Sequence, residues 1–237
     1  MIKDLPLSYR LKTIATYLSK GTKFIDIGSD HAYLPSYVCL NDPSAKAIAG
    51  EVNEGPFNSA KQTIKKYDLT GQIEVRLGDG LDVLRPNDSV YEVVIAGMGG
   101  TLIRRILENG QHKLRNITRI IAQPNIDERD TRIALTTLGY TIVHEQMIEE
   151  NEHIYEIIVA DLVTDDNQTK WTDKELFLGK ILLSKRDDLL IKKWQSQLAA
   201  HRKIIQQMKQ AKHLNQSKIR QFEKEQTWME EVLANNE

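Results

Sequence analysis

The sequence predicts an α/β protein: a mostly parallel seven-stranded sheet with an antiparallel final hairpin, followed by an α-helical coiled-coil domain. Three observations predict it. Five short apolar runs, within residues 24–27, 46–52, 73–77, 92–96 and 117–122, alternate with helical patterns over the first 138 residues. Two longer alternating runs, Tyr140 to Glu149 and His153 to Asp161, then flank Glu150-Asn151-Glu152 and read as a hairpin. From Lys174 onward there is no proline or turn cluster, and only Gly179 interrupts a helical composition. The expected division is residues 1–162 for the sheet domain and 163–237 for the helical one, joined by the polar linker 164–173.

Leu7 to Lys20 reads as an amphipathic helix with Ser8 as its N-cap and Leu11, Ile14, Ala15 and Leu18 on one face. Gly21 ends it, and Arg10 near its start stands within reach of a ligand or a phosphate, or on a solvated surface. Phe24 to Ile27 has the branching of a buried strand, broken by Asp26 and stopped by Gly28; a helix can open from Ala32. Such a strand end leaves backbone N–H groups facing a crevice where ligands bind in open α/β sheets. A dinucleotide-binding loop would need glycine at 28, 30 and 33, and only Gly28 is present. Asp30 would set a carboxylate against a diphosphate. A cationic or uncharged ligand fits better, and S-adenosylmethionine carries a sulfonium, an ammonium and an adenosine but no phosphate.

The second strand, Lys46 to Val52, carries Glu51 some twenty residues beyond Gly28, where nucleotide-binding folds place a carboxylate that accepts from both ribose hydroxyls. A helical pattern spans 56–67. Ile73 to Leu77 is the third strand, and Gly78-Asp79-Gly80 follows, either a plain turn or a carboxylate offered to an exocyclic amine. Glu92 to Ala96 runs into a turn at Gly97-Met98-Gly99-Gly100, where missing side chains let a flat base approach the main chain. A helix over Leu102 to Glu108, a fifth strand over Ile117 to Ala122 ending in Gln123-Pro124-Asn125, and a helix over 127–138 complete the alternation.

Of the 237 residues, 41% are apolar and 27% charged, which excludes a disordered chain. No apolar run has transmembrane length and no signal-like apolar segment stands at the N-terminus, so a cytoplasmic location without membrane contact is expected. The lone Cys39 has no internal disulfide partner and reads as packing. Six scattered histidines give no metal-ligand spacing, so no metal is expected. Within 189–222 lie Lys192, Lys193, Arg202, Lys203, Lys209, Lys212, Lys218 and Arg220 and no acidic residue. A basic helical stripe on an otherwise acidic chain suits a polyanion, or is a solvated face. Alternate steps of three and four from Ile191 to Leu233 meet an apolar residue at nine of thirteen positions, so the stripe sits on coiled-coil spacing. The polar stretch Lys212 to Ser217 folds it back as an antiparallel hairpin, with Ser217 a candidate cap.

Together, Asp26-Ile27-Gly28-Ser29-Asp30-His31-Ala32-Tyr33-Leu34-Pro35, Ala49-Gly50-Glu51, Gly78-Asp79-Gly80, Ala96-Gly97-Met98-Gly99-Gly100 and Gln123-Pro124-Asn125 resemble the bacterial TrmK family over nearly the whole chain. These are S-adenosylmethionine-dependent enzymes that methylate N1 of adenine 22 in tRNA. The resemblance implies a class I Rossmann-like methyltransferase domain and a C-terminal coiled coil that helps hold tRNA. It implies cofactor contacts at Asp26, Gly28, Asp30, Glu51, Asp79 and the turn Gly97, Met98, Gly99 and Gly100; His31, Gly80 and Ala96, in the same motifs, are further cofactor-binding candidates. For the RNA, the candidates are Arg10, Gln123, Asn125, Lys192, Lys193, Arg202 and Lys203, with the amides of Gln123 and Asn125 suited to an adenine edge. Asp30 and Asn125 are the candidate catalytic residues. A small-molecule methyltransferase, or a non-catalytic cofactor-binding protein that dimerises through its helices, would share the first domain.

Overall fold

The apolar runs become Lys23–Ile27 (β1), Lys46–Glu51 (β2), Ile73–Leu77 (β3), Glu92–Gly99 (β4) and Arg119–Ile126 (β5), which pair in parallel. Tyr140–Glu150 (β6) and His153–Leu162 (β7) form the hairpin, and β7 inserts antiparallel to β5, giving the order β3-β2-β1-β4-β5-β7-β6. The middle strands carry near-continuous apolar runs because helices cover both faces: Ile25, Ile48, Val93, Val94, Ile95, Ile120 and Ile121 are all buried. This computed structural model describes residues 5–163, 170–211 and 214–234.

Helices Tyr9–Ala15 (α1), Tyr33–Asn41 (α2), Glu54–Lys66 (α3), Gly100–Asn109 (α4) and Glu128–Thr137 (α5) contribute Ile14, Leu34, Ile64, Ile103, Leu107 and Leu135 to the same core. Ser8 caps α1 by accepting from the Leu11 N–H at 3.2 Å. The helix stops at Ala15, short of the expected Lys20. Its threonine hydroxyls bend back onto backbone carbonyls, Thr13 onto Tyr9 at 3.0 Å and Thr16 onto Thr13 at 2.7 Å, and compete with the helical ladder. The largest departure from expectation lies at 97–100. The chain there is not a turn but a continuation of β4 through Gly99, and Gly100 already opens α4. A Cβ on Gly100 would lie 1.9 Å from the Asp127 carbonyl oxygen, so this glycine serves the close approach of α4 to the start of α5.

The chain divides into two units, Met1–His144 with Tyr155–Gln168, and Glu145–Ile154 with Thr169–Glu237. The line expected after residue 162 is thereby redrawn, since the hairpin tip belongs with the helices. Linker positions 164–169, and Lys212 of the basic stripe, lie outside the described residues.

The second unit holds Asp173–Leu178 (α6), Lys180–Lys185 (α7), Asp188–Gln210 (α8) and Gln216–Ala234 (α9). Thr172 and Glu175 close a reciprocal capping box on α6. Besides Gly179, the sequence reading missed a second break: Arg186 turns left-handed and Asp187 caps α8 by accepting from Leu190 N–H at 2.9 Å. Leu178, Leu182, Leu190, Trp194, Leu198, Met229 and Val232 form its core with Met147. Arg202 pairs with Glu230 at 2.8 Å and Lys209 with Glu223 at 2.6 Å, so α8 and α9 run antiparallel. Asn215, not Ser217, caps α9: its side-chain oxygen accepts from Lys218 N–H at 3.1 Å.

Candidate active site

Strand order reverses beside β1, with β2 on one side and β4 on the other, so the crevice opens at the carboxyl ends of β1 and β4. Gly28 leaves β1 at φ +70°, and its N–H and that of Ser29 both donate to the Gly50 carbonyl, at 2.9 and 3.2 Å. Asp30, His31 and Ala32 follow with φ of 37°, 63° and 56°, three successive left-handed residues, each costing about 1–2 kcal/mol in a residue with a Cβ. The turn they make brings polar groups onto Glu51. Ser29 Oγ donates to Glu51 Oε1 at 2.8 Å, and the Asp30 N–H donates to the same carboxylate.

Glu51 is buried, and burial holds its carboxyl above the usual range despite these hydrogen bonds. Asp26, two residues before Gly28, is pushed up to about 8 by its burial, then by the neighbouring charges of Glu51 and Asp30. Asp26, Glu51 and Asp30 thus share one edge, an acidic arrangement that suits a positively charged ligand. His31 stacks on Tyr33 with centroids 5.2 Å apart, and its Nε2 lies 3.4 Å from Asp30 Oδ1. Asp79 stands exposed just past β3, while a Cβ on Gly80, whose φ is +52°, would lie 3.0 Å from Ile106 of α4.

Across the crevice, the register of β4 with β5 slips. Ala96 faces Gln123, Met98 faces Pro124 and Gly99 faces Ile126, so Gly97 and Asn125 drop out of the ladder. These two residues meet instead: Asn125 Nδ2 donates to the Gly97 carbonyl at 2.8 Å. The Gly97 N–H donates to Gln123 Oε1 at 3.0 Å, and Gln123 Nε2 donates to Asn125 Oδ1 at 3.2 Å and to the Pro124 carbonyl at 2.8 Å. Arg10 of α1 also donates to Gln123 Oε1, and its guanidinium lies 5.1 Å from the ring centroid of Tyr155. The Met98 side chain reaches across β4 to β1: a Cβ on Gly28 would lie 2.3 Å from Met98 Cε.

The structure therefore gathers Arg10, Gln123, Asn125 and Gly97 into one cluster and Asp26, Glu51, Ser29 and Asp30 into another. It corrects two expectations. Gln123 is 0% exposed with its amide fully engaged, so it is not a direct reader of a base edge; Asn125 is exposed. Lys193 is 5% exposed, its ammonium 5.3 Å from the Trp194 ring centroid, so it faces the helical core and not a phosphate. Of the other stripe residues, Lys192 pairs with Glu149 at 2.5 Å and Arg202 with Glu230. Lys203, Lys218 and Arg220 are exposed and form no ion pair among the described residues. Sequence reasoning missed Ser29, which donates to Glu51, and Tyr155, which lies under Arg10. Among the described residues no group of three or more His, Cys, Asp or Glu could hold a metal ion, and no helix is long and apolar enough to cross a membrane.

A parallel sheet of this order, closed by an antiparallel strand and bearing a carboxylate-lined crevice in place of a diphosphate cradle, defines a class I Rossmann-like methyltransferase. The family model of TrmK, tRNA (adenine(22)-N(1))-methyltransferase, matches residues 24–231, and the chain belongs to that family. The tRNA (adenine(22)-N(1))-methyltransferase of Bacillus subtilis is 39% identical over 221 residues, 92% of each chain. The solved structure of the B. subtilis M1A22 tRNA methyltransferase TrmK covers 97% of this chain and 100% of its own, at 38% identity and a TM-score of 0.87. A Streptococcus pneumoniae protein described as a candidate tRNA (m1A22) methyltransferase, solved with S-adenosyl-L-methionine, is 36% identical. It covers 96% of this chain and 100% of its own, with a TM-score of 0.85.

Proposed function

We propose that this chain methylates N1 of adenine 22 in tRNA, with S-adenosylmethionine as methyl donor, in the cytoplasm. The observation that carries the reading is the buried carboxylate pair Asp26–Glu51 at the β1/β2 edge, beside a glycine-led turn and in a chain of the TrmK family. When bound, the cofactor supplies a methyl group already activated on a sulfonium. Glu51 keeps two acceptor positions beyond those taken by Ser29 and Asp30, the number that a ribose diol requires. Asp30 supplies negative potential to the cationic donor, whose charge in turn draws the buried Asp26 carboxyl toward its ionised form. Asp79, exposed just past β3, accepts from the adenine amine of the cofactor in this reading.

Adenine N1 attacks through an in-plane lone pair, so no proton has to leave it and no strong base is needed. The chain's task is alignment in a dry crevice and stabilisation of the cationic ring that forms. Asn125, exposed at the end of β5, is the amide available to the acceptor base, and Asp30 is the carboxylate proposed to stabilise that charge. Lys203, Lys218 and Arg220 are the proposed phosphate contacts, which also offset the cost of flipping the base out of folded tRNA, a few kcal/mol.

The test is incubation of the purified protein with labelled S-adenosylmethionine and unmodified total tRNA, followed by mapping of the labelled nucleotide. N1-methyladenosine at position 22 is expected. Label in no RNA, or at another nucleotide, refutes the reading and returns the chain to the small-molecule or non-catalytic classes.

A further inference from the structure

Gln123 carries more hydrogen bonds than strand pairing requires. Its side chain is wholly buried at the end of β5, and each half of its amide has two partners. The oxygen accepts from the Gly97 N–H and from Arg10; the nitrogen donates to the Pro124 carbonyl and to Asn125 Oδ1. The orientation is unambiguous, because a flipped amide would set N–H groups against a peptide N–H and a guanidinium. Asn125 Nδ2 then returns to the Gly97 carbonyl, closing a ring of three residues around the slipped register. Both peptide groups of Gly97 that would have joined the β4–β5 ladder are therefore held by side chains of β5.

We infer that Gln123 is a positioning residue for methyl transfer: its buried amide fixes, as one unit, the Gly97 peptide on the cofactor side, the Asn125 amide on the acceptor side and the Arg10 guanidinium. The inference rests on the activity proposed above and adds to it a residue that touches neither reactant. Its consequence is specific. Donor and acceptor are aligned by groups on different elements, Gly97 on β4, Asn125 on β5 and Arg10 on α1, and Gln123 is where all three meet. A side chain of the same length without the amide leaves the Gly97 N–H and the Asn125 Oδ1 without their partner. The two reactants are then bound but no longer held in line.

Steady-state kinetics of Gln123→Met and Gln123→Glu, with Arg10→Ala alone and combined with Gln123→Met, tests this. Misalignment of about 1 Å costs on the order of 100-fold in rate. Gln123→Met is therefore expected to lower kcat by roughly 100-fold while KM for tRNA moves less than about threefold. Gln123→Glu keeps both acceptor bonds but loses the donors to the Pro124 carbonyl and Asn125 Oδ1, and is expected to recover about tenfold of that loss and not all of it. The double variant is expected to be no worse than Gln123→Met, because Arg10 acts on alignment through the same amide. A Gln123→Met enzyme with unchanged kcat, losses that appear only in KM, or multiplicative losses in the double variant each overturn the inference. If Gln123→Met does not fold, a Gln123→Glu enzyme with no loss in kcat, or one with a loss only in KM, overturns it, and a fall in kcat alone supports it. Wild-type protein that methylates adenine 22 while the variants match it removes only the role of Gln123; wild-type protein that labels no tRNA removes the activity itself.

Discussion

Replacing Glu51 by glutamine isolates the cofactor grip from the fold. The carboxylate has four acceptor positions on two oxygens, and Ser29 Oγ and the Asp30 N–H occupy two of them. Two remain for a ribose diol. In Glu51→Gln the single amide oxygen is used up by Ser29 and Asp30, and the crevice is offered an NH2 group in place of acceptors. A hydrogen bond to a charged group contributes about 1.5–3 kcal/mol, so the loss of one predicts roughly 10- to 150-fold weaker binding of S-adenosylmethionine. Calorimetric titration of both proteins reads this directly, and thermal unfolding shows whether the fold survives. A second readout is independent of binding. The Glu51 charge is the second-largest cause of the raised Asp26 pKa, after burial, so the Asp26 carboxyl should titrate lower in the variant by carbonyl-carbon NMR. Cofactor affinity within twofold of wild type refutes the ribose role of Glu51, and an unmoved Asp26 titration refutes the coupling of the two carboxyls.

Two more predictions concern charge. Asp26 has its folded pKa raised from an ordinary 3.8 to about 8, so between those values the folded protein holds a proton that the unfolded chain has released. Stability is therefore expected to fall as pH rises from about 4 to 8, and Asp26→Asn to flatten that fall in melting temperatures measured across the window. An equal slope in the variant would assign the pH dependence elsewhere. On the helical unit, Lys203→Gln with Lys218→Gln and Arg220→Gln is expected to lower the slope of log affinity for tRNA against log salt by about 2–3, whereas Lys192→Gln, whose partner Glu149 already neutralises it, should change it little. An unchanged slope in the triple variant makes the stripe a solvated face.

Much of the sheet was legible from short-range pattern. Phe24 to Ile27 with Gly28, and Lys46 onward with Glu51, are apolar strands ended by residues that announce a crevice, and the resemblance over these motifs named the family. The contents of the second cluster were not legible. Gln123 meets Gly97 and Arg10 across 26 and 113 residues, and the slip that drops Gly97 and Asn125 from the ladder leaves no mark in either segment. Gly97 to Gly100 looked like a single turn because glycine is equally compatible with a bulge, a helix start and a loop. Lys192 and Lys193 are adjacent and alike in sequence, yet one is exposed and one lies against Trp194, because neighbours on a helix point about 100° apart and only packing says which faces inward.

Sequence alone determined where the strands and most of the helices form, and which carboxylates end at the sheet's ligand edge. Those follow from periodicity and backbone sterics, which act over a few residues. Tertiary structure alone decided which polar groups are desolvated together: Glu51 with Asp26, and Gln123 with Arg10 and Gly97. The cost or benefit of burying a polar atom depends on the partner that arrives from elsewhere in the chain, and that partner is fixed only when the elements pack.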